Sequence, residues 1–120
     1  MVRKPVFECS FFIPVRRDAE LSDGQPHSRA AWRWLDRSLF EMFGGGTRAP
    51  GLYRGFYRDP DSGERVSDSS HEYTVAVLRR ELKHLRSLLA KACEVFAQKC
   101  IYLSVAGRVE YIDAKKHEPG

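Results

Sequence analysis

The chain has little of what most enzymes and membrane proteins display in their sequences. It has three cysteines among 120 residues, Cys9, Cys93 and Cys100, and no Cys-x-x-Cys pair. An odd, sparse set argues against a disulfide scaffold and favours a reducing, cytoplasmic location. No stretch approaches the roughly 18 consecutive apolar residues of a membrane-spanning helix, so we expect no membrane association. The four histidines are scattered, without the spacing that places two ligands on one helix face. We therefore predict no metal and no cofactor.

Two polar segments look like ligand-binding loops but have simpler interpretations. Gly44-Gly45-Gly46-Thr47 follows a predicted helix, whereas a phosphate-binding loop joins a strand to a helix. We interpret it as a helix stop, with one alternative, that its exposed amides beside Arg48 hold an anion. Asp59-Pro60-Asp61-Ser62-Gly63 resembles the opening of a calcium loop, but the later glutamate is misplaced and no helices flank it. A hairpin turn is predicted there.

Hydrophobic periodicity predicts four main strands and two helices. Alternating apolar residues indicate strands, and apolar residues every three or four positions indicate helices. The predicted strands are 6–15, 52–58, 72–78 and 101–105, with 64–70 as an irregular extension and 108–112 as a short fifth strand. The first predicted helix runs from His27 or Ser28 to Phe43, and the second runs from Leu78 to about Lys99.

The order of these elements, β-α-β-β-α-β, indicates the fold class. It predicts an α+β, ferredoxin-like sandwich, in which one antiparallel sheet carries both helices on one face. We expect residues 1–113 to form a single domain, because 120 residues is the size of one domain. The polar residues 114–120 are expected to form a frayed tail.

Basic residues form a row on each predicted helix. The formal net charge of the chain is +4. Residues four apart project from the same face of a helix. The two rows are Arg29, Arg33 and Arg37 on the first helix and Arg79, Lys83 and Arg86 on the second. Such a surface could bind nucleic acid phosphates, although a solvated charged face is the ordinary interpretation.

The second predicted strand gives the sheet another candidate surface. Arg54, Phe56 and Arg58 fall on one side of it, and Tyr53 and Tyr57 fall on the other. An open face that carries aromatic and basic residues can stack nucleic acid bases. A second copy of the chain could equally cover an apolar face, so we expect a homo-oligomer.

One acid–base cluster stands out, made of Asp68, His71 and Glu72. A histidine beside a carboxylate can act as a general base, because the negative charge raises its pKa. Side chains alternate along a strand, however, so His71 and Glu72 are expected to face opposite sides of the sheet. A solvated loop is the simpler interpretation.

A block of structural residues resembles those of short uncharacterised bacterial proteins. It comprises Trp32-x-Trp34-Leu35 and Phe43-Gly44-Gly45-x-Thr47, followed by Asp59-x-x-x-Gly63 and Ile101-Tyr102. The resemblance spans most of the chain and implies a ferredoxin-like fold. It implies no activity.

The basic rows and the missing catalytic motifs together suggest a function. We expect a small non-enzymatic binding or accessory module that docks on nucleic acid or a protein partner and self-associates. The alternative is a phosphate-handling hydrolase or nuclease that uses His71 with Asp68 or Glu72, with arginines as charge stabilisers.

Overall fold

The computed structural model describes residues 4–114. Strand β1 spans Val6–Pro14, and helix α1 spans Arg29–Phe43. The short strand β2, Thr47–Arg48, is followed by β3, Tyr53–Arg58, and β4, Arg65–Leu78. A 3₁₀ turn, Arg79–Glu81, leads into helix α2, Leu82–Val95, and the strands β5, Ile101–Val105, and β6, Arg108–Ile112, complete the fold. Most of the predicted tail, 115–120, lies outside the described residues.

The strands form one antiparallel sheet in the order β2-β4-β1-β5-β6, and β3 also pairs with β4. Strand β1 is central, with β4 on one side and β5 on the other. Both helices pack on one face of this sheet, α1 over β4 and α2 over β4, β5 and β6. The predicted α+β, ferredoxin-like sandwich is confirmed, with the fifth predicted strand present as β6.

Alternation along the strands creates the two faces of the sheet. Phe7, Cys9, Phe11 and Ile13 of β1 point toward the helices, and Cys9, Phe11 and Ile13 are fully buried. Helix α2 contributes the larger share of the helical core, with six buried residues against two on α1. The opposite face of the sheet carries no helix among residues 4–114, so it is the open face.

The predicted end of α1 is confirmed. Ser28 caps the helix N-terminus, and its hydroxyl accepts a hydrogen bond from the backbone N–H of Ala31. Gly44 adopts the left-handed conformation, with φ of 83°, and its N–H donates to the carbonyl of Phe40. Glycine accepts this conformation without a Cβ clash, which is why the glycine run stops the helix.

Three predicted boundaries are wrong. Helix α2 begins at Leu82, not at Leu78, because Leu78 is the last residue of β4 and a 3₁₀ turn, Arg79–Glu81, lies between them. Helix α2 ends at Val95, not near Lys99, because the chain turns at Ala97, whose φ is 48°. The side-chain amide of Gln98 then donates to the carbonyls of Arg16 and Phe96, which fixes the turn against the loop after β1. Residues 65–70 are regular strand rather than an irregular extension, because each of them pairs with a residue of β3.

The predicted hairpin turn at 59–63 is confirmed. The backbone N–H of Gly63 donates to the carbonyl of Asp59, and the N–H of Asp59 donates to the carbonyl of Glu64. Within residues 4–114, no helix is both long and apolar enough to cross a membrane.

Candidate ligand pocket on the open face of the sheet

A row of aromatic rings crosses the open face. The rings come from four strands, at the alternate positions that point away from the helices. Phe12 of β1 lies at the centre, with its ring centroid 5.6 Å from that of Tyr53 and 5.4 Å from that of Tyr102. Tyr111 extends the row, 5.9 Å from Tyr102. These rings form an apolar floor that the helices do not cover.

A pocket of about 680 Å³ lies on this floor. Its volume falls within the roughly 300–1,000 Å³ typical of small-molecule sites. One wall is the β3–β4 hairpin, and the other is the start of β5. Four described tyrosines line it together with Phe12: Tyr53, Tyr57, Tyr102 and Tyr111.

Asp68 is the acidic residue among those that line the open-face pocket. Its carboxylate is half-buried and accepts a hydrogen bond from the hydroxyl of Ser70 at 3.4 Å. Burial raises the pKa of Asp68 above its ordinary value of 3.8. Burial, assisted by the nearby charge of Asp68, also raises the pKa of Tyr57 to about 12, so its hydroxyl stays protonated at neutral pH. The residues that line the pocket therefore combine aromatic rings and the basic residues Arg54, Arg58 and Lys99 with one carboxyl group that is costly to leave charged.

The predicted acid–base cluster is not assembled. His71 points toward the helices, where its ring packs edge-on against Trp32 with 5.1 Å between centroids. Glu72 and Asp68 point to the open face, since their registers place them opposite Phe12 and Gly55. Among the described residues Nδ1 of His71 has no hydrogen-bond partner, and burial lowers its pKa. His71 is therefore a neutral packing residue, and Asp68 belongs to a different site.

The basic rows lie on the helical side, away from the pocket. Arg29, Arg33 and Arg37 are exposed on α1, as predicted, and Arg79 and Lys83 are exposed at the start of the second helical segment. Arg86 departs from its predicted row. Its guanidinium makes a two-pronged ion pair with Glu110 of β6, at 2.6 and 3.2 Å, and is two-thirds buried.

The two arginines predicted on the second strand, Arg54 and Arg58, lie on the strand that borders the open-face pocket and are among its lining residues. Alternation along β3 points their side chains to the opposite side from Tyr53 and Tyr57. Arg58 also donates to the carbonyl of Gly63.

Sequence reasoning missed Phe12, Tyr102 and Tyr111 as site residues. The available signal was that these aromatics occupy the positions of their strands that alternate with the buried set.

A cluster of three carboxylates has the spacing of a metal site but holds an ammonium group. Oxygens of Glu20, Asp59 and Asp61 lie within 4.8 Å of one another. The Nζ atom of Lys99 hydrogen-bonds to all three, at 3.2 Å from Asp59 and 2.8 Å from Asp61. This network ties the loop after β1 to the β3–β4 turn and to the start of β5.

Two of the three cysteines are buried structural residues. Burial raises the pKa of Cys9, and it raises the pKa of Cys93 to about 12. Cys100 is half-buried and lines the open-face pocket, and burial raises its pKa too. All three thiols therefore stay protonated at neutral pH, which makes them poor nucleophiles.

Comparison with known proteins adds two solved structures. No family model and no curated protein matches the chain. A phage SAM lyase in complex with S-methyl-5′-thioadenosine matches with a TM-score of 0.71 and 16% identity, covering 96% of this chain and 95% of the other. A phage SAM lyase in the apo state matches with a TM-score of 0.61 and 15% identity, covering 96% of each chain. At this identity the similarity shows the fold.

These matches correct the functional expectations from the sequence. Both matched structures are of an enzyme, and each match extends over nearly the whole chain. They contradict the prediction of a non-enzymatic module that docks on nucleic acid through its basic helices. The alternative of a phosphate-handling hydrolase or nuclease fails as well, because His71 lies on the opposite face of the sheet from both Asp68 and Glu72. Missing sequence motifs misled the prediction, since a pocket of aromatic rings has no short motif.

Proposed function

We propose that this protein is an enzyme that cleaves S-adenosylmethionine (SAM) and releases S-methyl-5′-thioadenosine, with the nucleoside bound in the open-face pocket. The observation that carries the proposal is the match to the ligand-bound phage SAM lyase at a TM-score of 0.71. The pocket supports it independently, because its size and lining suit a nucleoside.

Aromatic rings can bind the adenine ring of such a ligand. Purine rings stack on aromatic side chains, and each stacked base contributes about 1–3 kcal/mol. Phe12 lies on the central strand, held edge-on by Tyr53 and at a tilt by Tyr102, so its position is fixed before a ligand arrives. A fixed ring loses little conformational entropy when it binds.

The apolar lining also suits the chemistry. Release of S-methyl-5′-thioadenosine breaks the bond between sulfur and the γ-carbon of the methionine chain, and the bonding electrons neutralise the sulfonium. In the same step the four-carbon fragment either closes a ring, as its own carboxylate attacks the γ-carbon, or gives a β-proton to a base as a carbon–carbon double bond forms, and neither route consumes water. Burial in an apolar site costs the charged sulfonium more free energy than the neutral thioether. Burial therefore favours breaking the carbon–sulfur bond, because this step removes the positive charge.

Asp68 is the residue we assign to the cationic part of the substrate. Its carboxylate borders the aromatic floor, and a bound cation would offset the cost of burying its charge. Tyr57, whose hydroxyl stays protonated, lies beside it as a hydrogen-bond donor.

The test is to incubate the purified protein with SAM and to measure S-methyl-5′-thioadenosine by chromatography. Because SAM also decomposes slowly by itself, the rate is compared with that of heat-denatured protein. In ¹⁸O-labelled water no label should be found on the γ-carbon of the four-carbon product, whose only possible oxygen there comes from its own carboxylate. A rate equal to that of denatured protein contradicts the proposal, and label from the solvent would make the reaction a hydrolysis.

Variants on one strand connect the activity to the pocket. Asp68→Asn should lower kcat/KM about 10- to 100-fold, because a charged hydrogen bond contributes about 1.5–3 kcal/mol. Glu72→Gln is the matched control, since Glu72 lies on the same strand and the same face but does not line the pocket. If kcat/KM falls equally in both variants, the activity does not depend specifically on Asp68.

Two further expectations stay proposals. The three free thiols favour action in the reducing cytoplasm. Self-association is favoured by apolar residues at the edge of the open face, where Val109 is 50% and Tyr111 is 64% exposed. Light scattering during size-exclusion chromatography measures the mass, and a monomeric mass at micromolar concentration contradicts self-association.

A further inference from the structure

Gln98 lines the open-face pocket, and the proposed function does not use it. The residue lies between α2 and β5 and is 8% exposed. Its side-chain nitrogen donates to the carbonyls of Arg16 and Phe96, at 2.8 and 2.9 Å. Carbonyl oxygens only accept hydrogen bonds, so the amide has to present its nitrogen to both of them. The side-chain oxygen, Oε1, is therefore held pointing away from these two carbonyls.

The oxygen of Gln98 has no partner within the described protein. No donor among residues 4–114 hydrogen-bonds to Oε1. In the same range, the unpartnered side-chain atoms that solvent cannot reach are Nδ1 of His27 and Nδ1 of His71. Oε1 is not one of them, so it is open to the pocket that Gln98 lines. An acceptor that is already fixed in place loses little conformational entropy when it binds a donor.

Strand β1 relates this oxygen to the aromatic floor. Phe12 and Pro14 are two residues apart on the same face of β1, which is about 6–7 Å along a strand. The base and the ribose of a nucleoside have their centres a similar distance apart. A base stacked on Phe12 can therefore place its ribose over Pro14, which also lines the pocket.

Two polar groups lie just past Pro14, on either side of the chain that leaves β1. Asp68 is on the β4 side, two residues before Ser70, which pairs with Pro14. Gln98 is on the β5 side, bound to the carbonyl of Arg16. The 5′-carbon and the two hydroxyl groups leave a ribose ring on different sides. The sulfur atom on the 5′-carbon can thus face Asp68 while the hydroxyl groups face Gln98.

We propose that Oε1 of Gln98 accepts a hydrogen bond from a ribose hydroxyl of the bound nucleoside, which makes Gln98 a specificity-determining residue for ribonucleosides. The inference rests on the proposed function, because it takes the base to stack on Phe12. It adds a contact to the sugar, which the aromatic floor by itself does not distinguish from a deoxyribose.

Three unreactive ligands test the contact in the wild-type protein. They are S-methyl-5′-thioadenosine and its 2′-deoxy and 3′-deoxy forms, which share the base and the neutral thioether. Calorimetry should show that at least one deoxy form binds about 3- to 10-fold more weakly, as expected for one hydrogen bond between neutral groups. If both deoxy forms bind within twofold of the parent ligand, the inference is wrong.

Gln98→Met assigns the contact to the side chain, because it removes Oε1 and keeps a side chain of similar length. The ratio of affinities between the ribose form and the weaker deoxy form should fall below twofold. The variant also takes a donor from the carbonyls of Arg16 and Phe96, and a loosened turn would weaken all three ligands together without changing the ratio. Phe96→Leu is the matched control. It alters the packing of the same turn, but Phe96 lines neither this pocket nor the neighbouring one, and Oε1 stays in place, so the wild-type ratio should be retained.

The outcomes separate this inference from the proposed function. If Gln98→Met keeps the wild-type ratio, another group contacts the hydroxyl. If Phe96→Leu loses the ratio as well, the preference depends on the turn and not on Oε1. Either result overturns the inference and leaves the proposed function standing, since cleavage of SAM is measured separately. If the wild-type protein neither binds S-methyl-5′-thioadenosine nor cleaves SAM, the proposed function itself has failed, and the inference with it.

Discussion

Replacing Phe12 with leucine should weaken nucleoside binding while leaving the fold in place. Phe12 points to the open face, so its ring belongs to the pocket floor and not to the core between sheet and helices. Leucine keeps an apolar side chain at that position and removes the flat ring. The substitution therefore measures what ring stacking contributes.

The size of the effect follows from the contacts of the ring. A stacked base contributes about 1–3 kcal/mol, and 1.4 kcal/mol is tenfold in affinity, so Kd for S-methyl-5′-thioadenosine should rise about 5- to 150-fold. The contacts of Phe12 with Tyr53 and Tyr102 are worth about 0.5–1.5 kcal/mol each beyond buried area. The free energy of unfolding should thus fall by about 3 kcal/mol at most.

The neighbouring residue provides the control. Phe11→Leu is the same substitution one position earlier, where the ring is fully buried and stacks on Tyr73 at 5.3 Å. It should lower the denaturation midpoint and leave the affinity for S-methyl-5′-thioadenosine unchanged. Calorimetric titration and urea denaturation of both variants supply the two measurements. If Phe12→Leu binds as tightly as the wild type, or if Phe11→Leu loses affinity equally, the nucleoside does not lie on this floor.

Three other predictions concern stability. His27 and His71 are partly buried, and burial lowers both pKa values in the folded state from 6.5, so the unfolded chain takes up protons first. The urea concentration at the unfolding midpoint should therefore stay constant from pH 8 to about 6.5 and fall between pH 6.5 and 5. A midpoint that does not change with pH contradicts the burial of these histidines in the neutral form. A double-mutant cycle of Arg86→Met and Glu110→Gln should give a coupling of about 0.5–1 kcal/mol, because each side chain is about one-third exposed; zero coupling refutes a contribution from the pair. Ser28→Ala should cost about 0.5–1 kcal/mol in thermal unfolding, since it removes the cap of α1, and Ser28→Thr should restore most of it.

Much of the fold could be predicted because its elements have strong local signals. The apolar stripe of α2 and the glycines after α1 depend on residues close in sequence, and both predictions held apart from the start and the end of α2. That end was wrong because Ala97 and Gln98 are acceptable helix residues by themselves. The carbonyl of Arg16, 82 residues away, binds the side chain of Gln98 and stabilises the turn instead.

The site could be predicted less well than the fold. The sequence analysis singled out Asp68 as a partner of His71, which lies on the other face of the sheet. It singled out Arg54 and Arg58 as part of a nucleic-acid surface. Strand periodicity does say that Phe12 faces away from Phe11. It does not say which strands lie beside β1, so it could not bring the ring of Tyr102 within 5.4 Å of Phe12.

The sequence by itself determined the α+β order of elements, the helix caps and turns, and the alternation that gives the sheet two faces. These depend on backbone preferences and on hydrophobic periods that span a few residues. The tertiary structure alone decided that His71 is buried against Trp32, that Arg86 pairs with Glu110, and that rings from four strands share one open floor. Those arrangements join residues up to 99 positions apart, which only the pairing of strands and the packing of helices on one face can bring together.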